Sequence, residues 1–524
     1  MKLILPALII LICFTFQIKS QTQSKINPKL YAKNLALANE AFDTEDYVNA
    51  ISFYQKVLSI DPSHEISILN SLISRIRLNQ PADSCNSYLS KLKNSTTPEA
   101  QFYLGKNYHL NYNFEEAIKC FKNYKNIDSK NRLISDVEIN YNINCSKNAI
   151  ELMNQQNHSI IRNLGDNINT SYSEYAPLMT PDEKILYFTS KRQGSTGNLK
   201  DIYGNYYKDI YVAEKDENAA WKTPVNIGLP INTDKNDVCV ALSLDGNQMI
   251  VYRNSEGLVS GDLYLSRMDF NGWSNPEKLG PEINSPYIET SACFSADTSV
   301  IYFSSNRPGG FGGKDIYRVK KLPNGKWSQP MNLGTTVNTD KDEDYPFFHA
   351  DGITLYFSSK GHNTMGDYDI FKTSLNPETN TFSTLENIGF PINTVNNDIF
   401  FRLNTSGAFG YYSSIKKDTY GGFDIYLIDN RFNNNDLKVK VGKVVFENMP
   451  NKAKITLIDI ENKKVSGVFN ANTKTGNFIL LMNPLKSYKA IVEEDGFQTI
   501  MLDIEPLANE LSEKELIFSL TKKP

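Results

Sequence analysis

The sequence predicts a multidomain chain: an all-α helical-repeat solenoid, then an all-β propeller of five blades (six is the alternative), then a small β-sandwich. Three patterns carry this prediction. Apolar and small residues recur at three- and four-residue spacing up to about residue 157, a five-copy element repeats at about 53 residues through the middle, and alternating strands fill the end. Composition agrees. The 29 Tyr and 28 Phe among 524 residues favour strands, and 22% charged residues with a net charge of −4 leave no footprint for nucleic-acid phosphates.

Met1-Lys2, the apolar run Leu3 to Phe16 and Ser20 read as a signal peptide over residues 1–20. About 14 apolar residues fall short of the roughly 20 that a spanning helix needs. Cys13 follows Ile12 instead of the small residue that precedes a lipid-modified cysteine, so the expected product is exported and unlipidated. Any membrane association would come through a partner. Cleavage leaves Cys85, Cys120, Cys145, Cys239 and Cys293. Their odd number and the lack of a C-x-x-C pair disfavour a disulfide framework and structural zinc. Buried free thiols are expected, with one bridge among Cys85, Cys120 and Cys145 left open.

Residues 25–156 form the helical region. Ala38, Ala41, Ala50, Tyr54, Val57 and Pro62 fall at the spacings of a helix-turn-helix unit of about 34 residues, as do Gly105, Tyr108, Ala117, Phe121 and Tyr124. Small residues let the paired helices approach, an aromatic fills the gap and a proline ends the second helix. Ala50 and Ala117 are 67 residues apart, leaving room for a degenerate unit from His64 to Leu92. Ser135 to Gln155 would cap the stack. These positions resemble the tetratricopeptide repeat.

Residues 158–430 change period. Leu/Ile-Gly-x-x-Ile/Val-Asn occurs at Gly165/Asn169, Gly228/Asn232, Gly280/Asn284, Gly334/Asn338 and Gly389/Asn393, in steps of 63, 52, 54 and 55 residues. Asp-Ile/Leu-Tyr/Phe follows at Asp209, Asp262, Asp315, Asp369 and Asp424, and all three tryptophans, Trp221, Trp273 and Trp327, are repeat residues. Each copy reads as four short strands, the composition of a propeller blade. The strand His158 to Leu164 would complete the last blade and leave no open edge. Asp-Gly, Tyr-Phe-Ser-Ser and Asp-Ile-Tyr in this order resemble the PD40, or WD40-like, repeat of TolB-type propellers. Blade two departs most, with Val251-Tyr252-Arg253-Asn254 at the Phe-Ser-Ser position.

After Asn433-Asn434-Asn435, residues 437–522 alternate in strand fashion with breaks at Gly442, Thr475-Gly476-Asn477-Phe478 and Glu494-Asp495-Gly496-Phe497. They resemble the carboxypeptidase regulatory-like (transthyretin-like) sandwich. The whole order resembles envelope proteins of Bacteroidota, including PorE-like components of type IX secretion. That resemblance implies a periplasmic adaptor associated with the outer membrane, whose partners are envelope or secretion-system proteins. Many such proteins continue into an OmpA-like domain. None precedes Pro524, so peptidoglycan anchoring is not expected to carry over.

Catalytic motifs are missing. Gly309 to Lys314 lacks the Ser/Thr of a phosphate-binding loop, and there is no His-Glu-x-x-His, no Gly-x-Ser-x-Gly and only five scattered histidines. The expectation is a non-catalytic scaffold without a cofactor or resident metal; a peptide- or carbohydrate-binding sensor or uptake accessory working at the channel mouth is the alternative. The candidate binding residues are Glu174, Asp237, Glu289, Glu343 and Asp398, each nine residues after a repeat glycine. As a ring at the mouth they would bind a metal ion or basic groups; otherwise each accepts hydrogen bonds from turn amides or a neighbouring blade. Asp340, Asp342 and Asp344 mimic the start of a calcium loop, but Tyr345 stands where that loop needs glycine.

Overall fold

A computed structural model describes residues 27–155, 157–201, 204–254, 261–430, 438–445, 452–461, 463–473, 475–482, 486–505 and 516–523. Residues 1–20, expected from the sequence to be a signal peptide, and the Asn433–Asn435 stretch lie outside the described residues. The chain divides into two compact units, Met1–Ser74 and Arg75–Pro524.

In the first unit, α1 (Pro28–Asp43) starts at an Asn27 cap whose side chain accepts from the amides of Lys29 and Leu30, and α2 (Tyr47–Ile60) starts at Asp46. Ala38, Ala41 and Ala50 are small enough for the helices to close on Tyr54. The Tyr54 hydroxyl donates to Asn39 and accepts from Asn70 on α3 (Glu65–Arg77).

The second unit opens with a difference from the sequence reading. Among the described residues the degenerate copy has no long second helix; two 3₁₀ turns (Ala82–Ser84, Asn86–Tyr88) and the single-turn α4 (Leu89–Leu92) stand there instead. Asn79 at φ 51° and Pro81, which lacks an amide donor, break the helical backbone there. A regular hairpin follows, α5 (Pro98–Leu110) and α6 (Phe114–Lys125), and then α7 (Asp136–Met153) capped by Ser135. Gly105 is a contact position: a Cβ there would lie 2.6 Å from Phe121 Cε1.

Among the described residues, 160–429 build a β-propeller with five antiparallel sheets, four of four strands and one of five. Their first strands are Glu174–Met179, Asp237–Leu242, Glu289–Phe294, Glu343–Phe348 and Ile399–Leu403. Each neighbours the next, and the fifth neighbours the first. Ile160–Asn163 pairs with Asp424–Asp429, so the fifth sheet joins both ends of the repeat region. The joint is tight: a Cβ at Gly421 would clash with the Tyr172 carbonyl at the start of the first sheet, as one at Gly366 or Gly312 would with the backbone leading into the sheet that follows. Every first strand carries a register shift, which turns side chains such as Tyr345 and Phe400, at φ 55° and 54°, out of the regular alternation.

The Asn of each Gly-x-x-Ile/Val-Asn element works as a clamp. Its amide closes two hydrogen bonds on the backbone of the residue after the repeat aspartate, Asn232 on Ile210 at 2.9 and 2.8 Å and Asn338 on Ile316 at 2.8 and 3.0 Å. The repeat aspartate caps the preceding turn: Asp315 accepts from the amides of Phe311 and Gly312 and from Asn332. The second sheet has Lys278 where the others have that Asn, and Lys278 pairs with Asp262 at 2.9 Å.

The last region packs two sheets, of three and four strands, around Phe478, Tyr488 and Phe518. It meets the propeller at the turns joining the first and second strands: Asn472 donates to the Asp245 carbonyl, and the Thr473 amide to Asn247.

Candidate binding site

All five repeat acids begin, or immediately precede, a first strand, and all five are fully buried at 0% exposure. Each folds back on the residue four positions earlier. Glu343 accepts from the Thr339 amide and hydroxyl, both at 2.7 Å, and from Ser359 at 2.6 Å. Glu174 takes the same from Thr170 and Ser190, Glu289 from Ser285 and Ser305, and Asp398 from Thr394 and Ser414. Asp237 accepts from Thr233, and its second oxygen receives Arg253 Nε at 2.5 Å. With no solvent-facing surface, Glu174, Asp237, Glu289, Glu343 and Asp398 do not line a mouth. Their carboxylates hold each sheet's entry loop to its second strand, the hydrogen-bonding role weighed for them from the sequence.

That geometry explains the odd second blade. In blades one and three the serine is followed two residues later by Arg192 or Arg307, whose guanidinium bonds that serine and a carbonyl of the Gly-x-x-Ile-Asn turn, Ile168 or Ile283. Arg253 sits at the serine position yet reaches the equivalent Ile231 carbonyl at 2.7 Å. One side chain therefore does the work of two. His362 and Lys416 approach the corresponding turns in blades four and five, at the carbonyls of Val337 and Pro391.

The channel mouth is formed by the residues after the acids, because successive side chains of a strand point to opposite sides. Tyr175, Val238, Thr290 and Ile399 line a cavity of about 390 Å³ with Tyr252, Tyr345, Phe400 and two lysines, Lys191 and Lys208. The mouth is aromatic and cationic, opposite in sign to the expected acid ring. Burial, followed by the charge of Lys191, pushes the Lys208 ammonium down to about 8. Asp344 is the one acid among the positions after the repeat carboxylates. It pairs with Lys314 and accepts from Thr290 and Ser291, while Asp342 accepts from the Lys314 amide, so these aspartates serve the blade joint and do not converge as a calcium loop. At the other end of the first strands a smaller cavity of about 100 Å³ is lined by Arg402, which donates to the carbonyls of Phe401 and Val240.

A second concavity, about 540 Å³, lies between the helices and the propeller. Its walls are α5 and α7 on one side and the loops of blades four and five on the other. The helices are fixed there by Tyr141 donating to the Lys360 carbonyl, Asn148 to the Thr364 carbonyl and His109 to the Met365 carbonyl at 2.9 Å. His109 also contacts Ser146 Oγ at 2.9 Å, an arrangement resembling a nucleophile and base. It is a structural pin: Ser146 is fully buried, and burial lowers the imidazole to about 3, too weak a base at neutral pH. The five described cysteines are free and buried, and burial raises Cys145, Cys239 and Cys293 to about 12, so no thiol is activated and none is bridged.

No family model and no curated protein matches the chain. Similar solved structures include a putative TolB from Agrobacterium tumefaciens, 16% identical, covering 62% of this chain and 97% of that one, with a TM-score of 0.32. Others are an alpha-L-arabinofuranosidase from Lactobacillus brevis (14%, 51% and 91%, TM-score 0.29) and an alpha-L-arabinanase from Penicillium chrysogenum (11%, 50% and 98%, TM-score 0.31). Likeness at this level carries no argument about activity, and the propeller assignment rests on the strand pairing and cyclic order above. No helix among the described residues is long and apolar enough to cross a membrane.

Proposed function

We propose that this protein is a non-catalytic scaffold that binds protein partners in the concavity between its helices and its propeller. The carrying observation is the groove of about 540 Å³, which presents Arg77, Lys106 and Lys341 beside the amides of Gln80, Asn142 and Asn396. Polar, mixed-charge walls with scattered apolar floor residues suit an acidic extended segment of another protein. In this reading residues 1–20 direct export, the helices are tetratricopeptide-like, the five sheets are the full set of blades, and the terminal sandwich is transthyretin-like. The setting is the periplasm near the outer membrane, in secretion or envelope assembly, with membrane contact only through a partner.

The test is a pull-down of the tagged chain from envelope fractions alongside Lys106→Glu/Lys341→Glu. Recovery of a secretion or envelope component should fall at least tenfold in the double variant. Equal recovery by both forms would refute the groove as the partner site. A second reading, a ligand-binding sensor at the channel mouth, is favoured by the lysines placed there.

A further inference from the structure

The mouth repeats one position with two outcomes. Lys314 and Lys208 both stand immediately before a repeat aspartate, in blades three and one. Lys314 finds a counter-ion on the first strand of the next blade, Asp344. The residue equivalent to Asp344 for Lys208 is Val238, which offers no charge. Among the described residues no carboxylate lies within ion-pairing distance of Lys208 or of its neighbour Lys191; Asp201 acts on both only from longer range, and the Tyr175 ring lies 6.0 Å from the Lys208 ammonium. The buried Tyr175 hydroxyl also lacks a hydrogen-bond partner. Two cations and a hydroxyl without protein acceptors thus face or flank a cavity of about 390 Å³ whose other walls mix aromatic rings with aliphatic side chains such as Val238, Ile399 and Ile415.

Unpaired, partly desolvated ammonium groups are costly, and an incoming anion would satisfy them. The body of that ligand is set by the walls. Tyr252, Tyr345 and Phe400 offer ring faces, and the hydroxyls at the rim are engaged, Thr290 with Asp344 and Ser173 with the Phe423 amide. A sugar needs many free hydrogen-bonding groups; beside its two lysines this cavity offers chiefly the Tyr175 hydroxyl and Asn79, against apolar surface from Val238, Ile399, Phe400, Ile415 and Phe423 that suits an apolar or aromatic body. We propose that the channel mouth binds a carboxylate carried on an apolar or aromatic body, with Lys208 and Lys191 holding the charge. Such a group is supplied by the C-terminus of a peptide ending in an apolar residue or by a free small acid. This rests on the second reading above, the sensor at the mouth, and names its ligand chemistry.

Calorimetric titration of the full chain with N-acetylphenylalanine, the tripeptide Ala-Ala-Phe, the C-terminal amide of each, glucuronate and inorganic phosphate tests it. The free acids should bind about 10- to 100-fold more tightly than the amides, the usual worth of a charge-assisted hydrogen bond. Lys208→Gln and Lys191→Gln should each erase that preference while leaving the melting temperature unchanged or raised. Binding of N-acetylphenylalanine alone, or of the tripeptide as well, assigns the source, and either result supports the proposal. Equal affinity for acid and amide overturns it. Glucuronate or phosphate binding that depends on Lys208, without binding of the apolar acids, overturns the ligand class while the mouth stays a binding site. No binding by any probe removes both.

Discussion

Arg253→Ala is expected to destabilise the propeller by about 3–5 kcal/mol, the cost of leaving a buried carboxylate without its counter-charge. Asp237 is fully buried, and Arg253 supplies the 2.5 Å contact to one of its oxygens while also tying down the Ile231 carbonyl. For a domain of this size that corresponds to a fall of roughly 10 °C in melting temperature. All three tryptophans lie in the repeat region, so tryptophan fluorescence reads this transition separately from the helices. Arg253→Ser should lose less than Arg253→Ala, because a serine hydroxyl fills this position in the other four blades, at Ser190, Ser305, Ser359 and Ser414. Equal melting temperatures for wild type and Arg253→Ala would show that the pair holds nothing together.

The second large effect is at Glu343. Burial, only partly offset by hydrogen bonds from Ser359 and Thr339, raises its carboxyl to about 7. The folded state therefore holds a proton that the unfolded chain releases near its ordinary value of 4.5. Stability from this group is fully present below about pH 4.5 and is lost as pH rises through 7. Glu343→Gln should keep the Thr339 amide bond through its carbonyl and donate to the two hydroxyls. It should stay folded, with a flatter melting-temperature profile between pH 4.5 and 7 than the wild type. Glu343→Ala strands three donors and should cost about 3 kcal/mol at all of these pH values. A parallel pH profile for wild type and Glu343→Gln would contradict the raised carboxyl.

Much of the architecture was legible because the repeat is written in residue types with fixed jobs. Gly-x-x-Ile/Val-Asn announces a turn whose amide clamps a strand, and Asp-Ile-Tyr announces the turn-capping acid. The carboxylates were legible in position but not in direction. Two sequence signals pointed to their inward role: Thr or Ser four residues before each acid, and a hydrogen-bond donor, serine or Arg253, sixteen residues after it. Both partners are needed only if the carboxylate turns back into its own sheet. The cationic mouth left no such trace: Lys208 and Lys191 stand at positions that also hold lysine in other blades, Lys314 and Lys360, and only the fold shows that the first pair lacks the counter-ion and lies beside Tyr175. The shortened second unit of the helical region was hidden differently, since Asn79 and Pro81 are ordinary loop residues until a helix is required there.

The central claim is that the groove between the helices and the propeller is the partner surface. Site-specific photo-crosslinking in the intact envelope addresses it most directly, with the crosslinker at Val137, which lines the groove and is 70% exposed, or at Phe270, which is 73% exposed and does not line it. The account predicts a discrete protein adduct from position 137 that disappears in the Lys106→Glu/Lys341→Glu background, and none from position 270. The same adduct from both positions, or none from position 137, would contradict it.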